Sequence, residues 1–201
     1  MELLLPNKRW ITVQSSWRNR PFSWAHLFAG LKDGTQSEKS NSPAIALVGT
    51  AHNNHIKILL ADDDADDREL FEEVLKDINP TIKLQPVEDG MHLMKMLQDE
   101  SEPLPDLVFL DLNMPGKNGK ECLQEIKKDN RLKDLPVIIY STSCQPKDIT
   151  DTHGIGAHLY ICKPSSFAEL IAVVKKVLSL DFKQLKSMPP MEHFVISAGI
   201  M

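Results

Sequence analysis

Four places in the sequence put chemically capable side chains directly after short apolar runs. Asp62, Asp63 and Asp64 follow the run at 56–61, and Asp111 follows 107–110 and opens Asp111-Leu112-Asn113-Met114-Pro115-Gly116. Ser141 and Thr142 follow 137–140, and Lys163-Pro164 follows 158–162. Each has an ordinary reading on its own. An acidic run ahead of a helix caps it and meets its dipole. An aspartate at a strand end forms a turn, a Ser-Thr-Ser string starts a turn or helix, and Lys-Pro is an exposed turn. Taken together they read differently. Carboxylates gathered in one pocket repel and need a cation, and an all-oxygen donor set suits a hard ion such as Mg²⁺. A neighbouring ammonium adds a second positive charge, and a hydroxyl adds a donor. That set accommodates a tetrahedral dianion such as a phosphoryl group.

For these residues to meet, the apolar runs must lie side by side. The runs at 56–61, 82–87, 107–110, 137–140 and 158–162 alternate with helical periodicity at 65–78, 91–98, 119–128, 145–153 and 167–178. In the first helical stretch Leu70, Phe71, Val74, Leu75 and Ile78 share a face, and in the last Phe167, Leu170, Ile171, Val174 and Leu178 do the same. Consecutive apolar residues, as in Leu107-Val108-Phe109-Leu110, suit strands covered on both faces. The pattern predicts an α/β fold: a doubly wound, five-stranded parallel sheet with helices on both faces. In such sheets ligands bind at the carboxyl ends of the strands, where the chemistry-capable residues stand here.

Composition narrows the function classes. The chain has 201 residues, a formal net charge of −5 and 42% hydrophobic residues, which excludes wholesale disorder. No apolar run approaches the ~18 residues of a membrane span, and the first six residues do not read as a signal peptide. Three cysteines, Cys122, Cys144 and Cys162, without CxxC spacing indicate neither a disulfide framework nor a zinc site. Cys162 reads as a packing residue in a strand. The acidity gives no reason to expect nucleic acid as partner. Residues 1–55 hold all three tryptophans and a local charge of +3, leaving −8 for the remainder. They read as a linker-like or poorly ordered extension, with a short docking helix near 17–31 as the alternative. Residues 181–201, with Pro189-Pro190, read as a tail without a clear period. Asp64, Asp66 and Asp67 read as solvated helix-start residues, and His92, His153 and His158 as surface or packing residues.

From 56 to 180 the sequence resembles the receiver domain of two-component response regulators (flavodoxin-like, as in the chemotaxis receivers). The resemblance is carried, in order, by Ile58-Leu59-Leu60-Ala61-Asp62-Asp63, by Asp111 through Gly116 with Gly119, by Ser141-Thr142, and by Tyr160-Ile161-Cys162-Lys163-Pro164. It implies that Asp111 accepts a phosphoryl group. Asp63, Asp111 and the backbone carbonyl of Asn113 would hold Mg²⁺, with Mn²⁺ as a substitute, and Asp62 would act through a metal-bound water. Lys163 would pair with the phosphoryl oxygens across a cis Lys163–Pro164 bond, with Ser141 as switch hydroxyl and Tyr160 as switch aromatic. Ser141 stands where the family more often has threonine. Asn113 and Ser143 would flank the approach of hydrolytic water. A phosphatase of the haloacid-dehalogenase type wants a second aspartate two residues after the nucleophile, where this chain has Asn113.

The resemblance implies a signalling phosphoacceptor rather than an enzyme. Its upstream partner would be a sensor histidine kinase, a hybrid kinase or a phosphotransfer protein, and its downstream partner an unidentified protein. Only 21 residues follow Leu180, too few for the usual helical DNA-binding domain. The expectation is a stand-alone cytoplasmic receiver acting through protein–protein contact. A homodimer through the face next to Lys163 is a further option, and a receiver fold serving only as a docking module is the alternative function.

Overall fold

The computed structural model describes residues 2–4, 10–12, 56–180 and 189–198. The chain divides into two units, Met1–Thr50 and Ala51–Met201. In the first, β1 (Glu2–Leu4) and β2 (Trp10–Thr12) form an antiparallel pair in which Leu3 faces Ile11. The linker-like reading of 1–55 and the docking helix near 17–31 otherwise lie outside the described residues.

The second unit alternates strands and helices. They are β3 (Lys57–Ala61), α1 (Ala65–Ile78), β4 (Lys83–Val87), α2 (Gly90–Gln98), β5 (Leu107–Leu110), α3 (Gly119–Lys128), β6 (Val137–Ser141), α4 (Pro146–Ile155), β7 (Leu159–Cys162) and α5 (Phe167–Leu178). Short α6 (Met191–Phe194) and β8 (Val195–Ile196) complete it. Local chemistry sets the helix starts. The Asp64 carboxylate accepts from the Asp66 and Asp67 amides, Asp89 from the amide of His92, and Ser166 from that of Glu169. Asn118 and Glu121 form a reciprocal capping box on α3. α4 has no side-chain cap; it starts at Pro146 and stops at Gly156, whose φ of 114° suits a residue without a side chain.

The sheet runs β4-β3-β5-β6-β7-β8 and is parallel throughout. Strand alternation divides the core into two layers. Leu59, Ala61, Val108, Leu110, Val137 and Ile139 meet α2 and α3 through Leu93, Leu97, Leu123 and Ile126. Ile58, Leu60, Phe109, Ile138 and Ile161 meet α1 and α5 through Phe71, Val74, Val173 and Val177. Because the chain leaves β3 for β4 on one side and then crosses to β5 on the other, strand order reverses between β3 and β5. That reversal opens a crevice above their carboxyl ends.

One expectation about the sheet changes. It has six strands rather than five, because the tail returns to the β7 edge. β8 pairs Val195 with Tyr160 and Ile196 with Ile161. Phe194 is fully buried, 4.8 Å from the His153 ring and 6.1 Å from Tyr160 between centroids. The His153 ring also contacts the Pro189 carbonyl at 3.0 Å. A segment this short shows no period, so its strand is invisible in the sequence. What holds it is one aromatic side chain and an unfilled edge.

His158 is buried, and its Nδ1 accepts from the Val137 amide at 3.1 Å. Burial, assisted by the Lys127 ammonium, lowers its pKa from 6.5 to about 4. Between those values the folded chain binds fewer protons than the unfolded one. Its contribution is therefore complete above pH 6.5 and is lost progressively as pH falls towards 4. Replacing His158 by Asn keeps an acceptor for Val137 without a titrating ring. Urea unfolding at pH 7 and pH 4.5 is expected to show the acid loss of stability shrinking by about 2 kcal/mol in the variant.

Candidate functional site

The carboxyl ends of β3, β5, β6 and β7 deliver the four groups anticipated from the sequence to one crevice. Asp62 follows β3 and is fully buried, and Asp111 follows β5 with 4% of its surface exposed. Their backbones continue the strands: the Asp62 amide donates to the Val87 carbonyl at 3.1 Å and the Asp111 amide to that of Ala61 at 2.9 Å. Asp63 is exposed at the mouth. Carboxylate oxygens of Asp62, Asp63 and Asp111 all lie within 4.8 Å of one another.

Lys163 crosses the crevice from the end of β7. Its Nζ stands 2.6 Å from Asp62 Oδ2, 2.7 Å from Asp67 Oδ2 and 3.6 Å from Asp111 Oδ2. Burial pulls the ammonium down, but the carboxylates of Asp62 and Asp67 outweigh it and hold its pKa above the usual lysine range. Burial is also the main influence on Asp62, pushing its carboxyl up to about 6 against the pull of Lys163. Among the described residues, the ammonium is the one donor to Asp62 Oδ2. Three clustered carboxylates facing a single ammonium, an all-oxygen donor set with excess negative charge, fit a hard divalent cation. Beneath the pocket, Lys163 lies 5.3 Å from the Tyr140 ring centroid, and Tyr140 packs edge-on with Phe71 and Phe109.

Ser141 is fully buried at the end of β6. Its Oγ receives two long hydrogen bonds, each 3.4 Å, from Asn113 Nδ2 and from the Ser143 amide. Asn113 is exposed at the rim, and its amide donates to Asp111 Oδ1 at 3.3 Å. Tyr160, buried in β7, donates its hydroxyl to the Ser143 carbonyl at 2.6 Å. Two residues beyond Ser141, that carbonyl ties the aromatic directly to the loop carrying the serine.

The loop after Asp111 is shaped by two glycines. Gly116 follows Pro115 with φ of 73°, which favours a residue without a side chain. Gly119 packs so closely that a Cβ there would overlap the Asp111 carbonyl oxygen and lie 2.8 Å from Leu112 Cα. Both are backbone atoms that cannot swing aside. Gly119→Ala is expected to cost about 1–3 kcal/mol and to weaken Mn²⁺ binding, measured by urea denaturation and by paramagnetic relaxation of water.

Several expectations change here. The Lys163–Pro164 bond is trans, since no cis peptide bond occurs among the described residues. In that form the Lys163 amide already donates to the Ser141 carbonyl at 2.8 Å while Nζ reaches the carboxylates. Trans is also the favoured isomer by roughly 0.5–1 kcal/mol. Asp67 is not merely a solvated helix-start residue, because one turn into α1 it faces the pocket and pairs with Lys163. Arg68 beside it donates to the Asp62 carbonyl at 2.7 Å. A helical reading from Asp64 would have shown which α1 residues face the sheet end, but not that Lys163 reaches them. Finally, Cys144 and Cys162 stand against each other at bridging distance, their Cα atoms 5.6 Å apart. They are separated by 18 residues in sequence, and the parallel β6–β7 register places Ser141 opposite Cys162. An odd cysteine count without a motif does not reveal such a pair, and Cys122 is left as a buried thiol.

A parallel sheet with its acidic crevice at the strand-order reversal, faced by a lysine and a hydroxyl from the next strand ends, defines a receiver-type signalling domain. Residues 58–175 match the response regulator receiver domain, and the chain belongs to that family. It is 33% identical over 147 residues to the response regulator Rcp1 of Synechocystis sp., covering 71% of this chain and 92% of that protein. It is 31% identical over 125 residues to the chemotaxis protein CheY-3 of Vibrio cholerae, covering 62% and 93% respectively. Among solved structures, the phosphorylated cyanobacterial phytochrome response regulator RcpA superposes with a TM-score of 0.58 at 38% identity, covering 62% of this chain and 91% of RcpA. The Mn²⁺-bound form of Rcp1 gives 0.57 at 33%, covering 67% and 99%. Proteins of this family are signalling components of two-component systems. No helix among the described residues is long and apolar enough to cross a membrane.

Proposed function

We propose that the chain is a single-domain response regulator that accepts a phosphoryl group on Asp111 and signals through phosphorylation-dependent protein–protein contacts. The observation that carries this reading is the convergence of three carboxylates with the ammonium of Lys163, 3.6 Å from Asp111 and 2.6 Å from Asp62. A carboxylate oxygen of Asp111 attacks phosphorus, and the bond from phosphorus to the donor's imidazole nitrogen breaks with its electron pair leaving on nitrogen. The donor is a sensor histidine kinase, a hybrid kinase or a phosphotransfer protein. Carboxylate is a weak nucleophile, so the chain's contribution is alignment and charge compensation. Mg²⁺, or Mn²⁺ in its place, would be held by Asp63, Asp111 and the Asn113 carbonyl, with Asp62 acting through a bound water. It supplies charge neutralisation at the phosphoryl oxygens. Lys163, 3.6 Å from Asp111, would bring a second positive charge to the same oxygens.

Phosphorylation replaces the single negative charge of the Asp111 carboxylate by a phosphoryl group carrying about −1.5 to −2 and places new acceptors beside Ser141. Among the described residues the Ser141 hydroxyl is held by two long 3.4 Å contacts, which turning towards the new acceptors gives up at little cost. Its loop carries the carbonyl that holds Tyr160, so that movement is passed to β7 and α4. α4 buries only Thr152 completely and is fastened to α3 by Lys120, 2.8 Å from Asp148 and 2.7 Å from Asp151. An element with so little buried apolar surface is suited to two positions of similar energy. In this reading the receiver spans 56–180, preceded by the 1–55 extension and followed by the 181–201 tail whose β8 joins its sheet, and works in the cytoplasm. Its output partner is a protein rather than nucleic acid or membrane, with a homodimer through the face next to Lys163 as an option.

Incubation with acetyl phosphate and Mg²⁺ is expected to add one hydroxylamine-labile phosphoryl group per chain, mapped to Asp111 by borohydride reduction and peptide mass. Chelation of the metal should abolish it. A label on another residue, or one indifferent to chelation, would overturn the assignment.

A further inference from the structure

We propose that Cys144 and Cys162 are a reversible thiol–disulfide pair, and that its closed form pins the loop carrying Ser141 and Ser143 to the strand that ends at Lys163. The placement carries the inference. Cys144 lies three residues beyond Ser141, between β6 and α4, and Cys162 is the last residue of β7 and the direct neighbour of Lys163. Their Cα separation of 5.6 Å needs no backbone movement for bridging. Both are half-buried, so small thiols and disulfides reach them. The third cysteine contrasts on every count. Cys122 is fully buried, contacts the Gly90 carbonyl at 3.6 Å, and has its thiol pushed up to about 11 by burial. A buried thiol held protonated is inert, whereas an accessible pair at bridging distance is not.

The bond closes by exchange with a low-molecular-weight disulfide such as oxidised glutathione. The Cys144 thiolate attacks one sulfur of the small disulfide, forms a mixed disulfide and expels one small thiolate. The Cys162 thiolate then attacks the Cys144 sulfur and expels the second. Two protein thiols lose two electrons and two protons, and the small disulfide gains them as two thiols. In a reducing compartment such a bond is transient and reports redox state rather than serving as a permanent brace.

The structural consequence follows from what the bridge spans. It fastens the far end of the loop in which the Ser143 carbonyl holds Tyr160. Asp62, Asp111 and Lys163 are outside the bond, so the acceptor chemistry persists while the movement that relays it is restrained. This consequence rests on the phosphoacceptor reading; closure of the bond does not.

The full chain, equilibrated with mixtures of oxidised and reduced glutathione and then acid-quenched and alkylated, tests both parts. Towards oxidising ratios the intact mass is expected to lose two hydrogens, with Cys144- and Cys162-containing peptides joined, Cys122 alkylated after denaturation, and the change reversed by dithiothreitol. Cys144→Ser should lose the joined species. Full alkylation of all three cysteines, or mixed disulfides alone, would overturn the pairing. Hydrogen exchange at 142–155 is then compared with and without acetyl phosphate and Mg²⁺. The phosphorylation-linked change is expected to be smaller in the oxidised chain than in the reduced chain or Cys144→Ser. Equal changes in both redox forms would overturn the pinning. Absence of any phosphoryl label in both forms would instead count against Asp111 as acceptor and leave the mass result standing.

Discussion

The Asp111→Asn variant is expected to lose phosphoryl acceptance by at least about 10³-fold while folding as well as the wild type. The amide keeps the shape of the carboxylate and an oxygen to accept from the Asn113 amide, a contact of 3.3 Å in the wild type. It removes the nucleophilic charge. Asp62 is fully buried and faces Lys163 at 2.6 Å, so its carboxylate is occupied by the ammonium rather than presented to a donor. Asp63 is exposed at the mouth of the crevice rather than held inside it. Neither is set to replace Asp111. The electrostatic effect on stability runs the other way from the effect on function. The Asp111 charge pushes the Asp62 carboxyl up, so removing it relieves a like-charge contact. Lys163 gives up only its longest partner, at 3.6 Å, and keeps Asp62 and Asp67. Without metal the variant should equal the wild type or exceed it by about 1 kcal/mol, and added Mg²⁺ should stabilise it less than the wild type. Urea denaturation with and without Mg²⁺, beside acetyl phosphate labelling, separates these effects. A variant that labels at the wild-type rate, or that loses its label by unfolding, would refute the assignment.

How much of this was legible in the sequence depends on the range over which each feature is determined. The helices and the five main strands are local: Leu107–Leu110 is apolar at every position and buried at every position, and Phe71, Val74 and Leu75 recur at helical spacing and all reach the core. Asp62, Asp111, Ser141 and Lys163 were legible because a parallel sheet sends all its strand ends to one side, so position after a strand translates into position in space. Features that depend on the register between distant segments were not. The Cys144–Cys162 pair follows from Ser141 standing opposite Cys162 across β6 and β7. The Asp67–Lys163 contact joins residues 96 positions apart and depends on how α1 lies over the crevice. β8 is two residues long and exists because Phe194 finds a buried place beside Tyr160. The isomer at Pro164 is a choice between nearly equal energies, which a motif does not determine.

Lys163→Met tests the compensation on which the whole site depends. The substitution keeps an unbranched chain of similar length, so packing over the Tyr140 ring survives and the charge alone is lost. Asp62 and Asp111 are then left buried within reach of each other with no cation, and Asp67 loses its partner at 2.7 Å. Removing one member of a buried charged set leaves the others uncompensated, and such losses run to about 3–5 kcal/mol. Without metal the variant is therefore expected to unfold at markedly lower urea. Divalent cation should restore part of the loss, because an ion that binds only the folded chain stabilises it by mass action, and the crevice now lacks the ammonium that competes for its oxygens. The metal-dependent gain in stability should exceed that of the wild type, the reverse of Asp111→Asn. Phosphoryl acceptance should fall as well, since the oxygens of the transferring group lose their charged partner in the transition state. Opposite responses to metal in the two variants would identify one carboxylate as a ligand and the lysine as its counterion. Matching responses, or a Lys163→Met chain as stable as the wild type without metal, would show that Lys163 does not compensate the buried carboxylates.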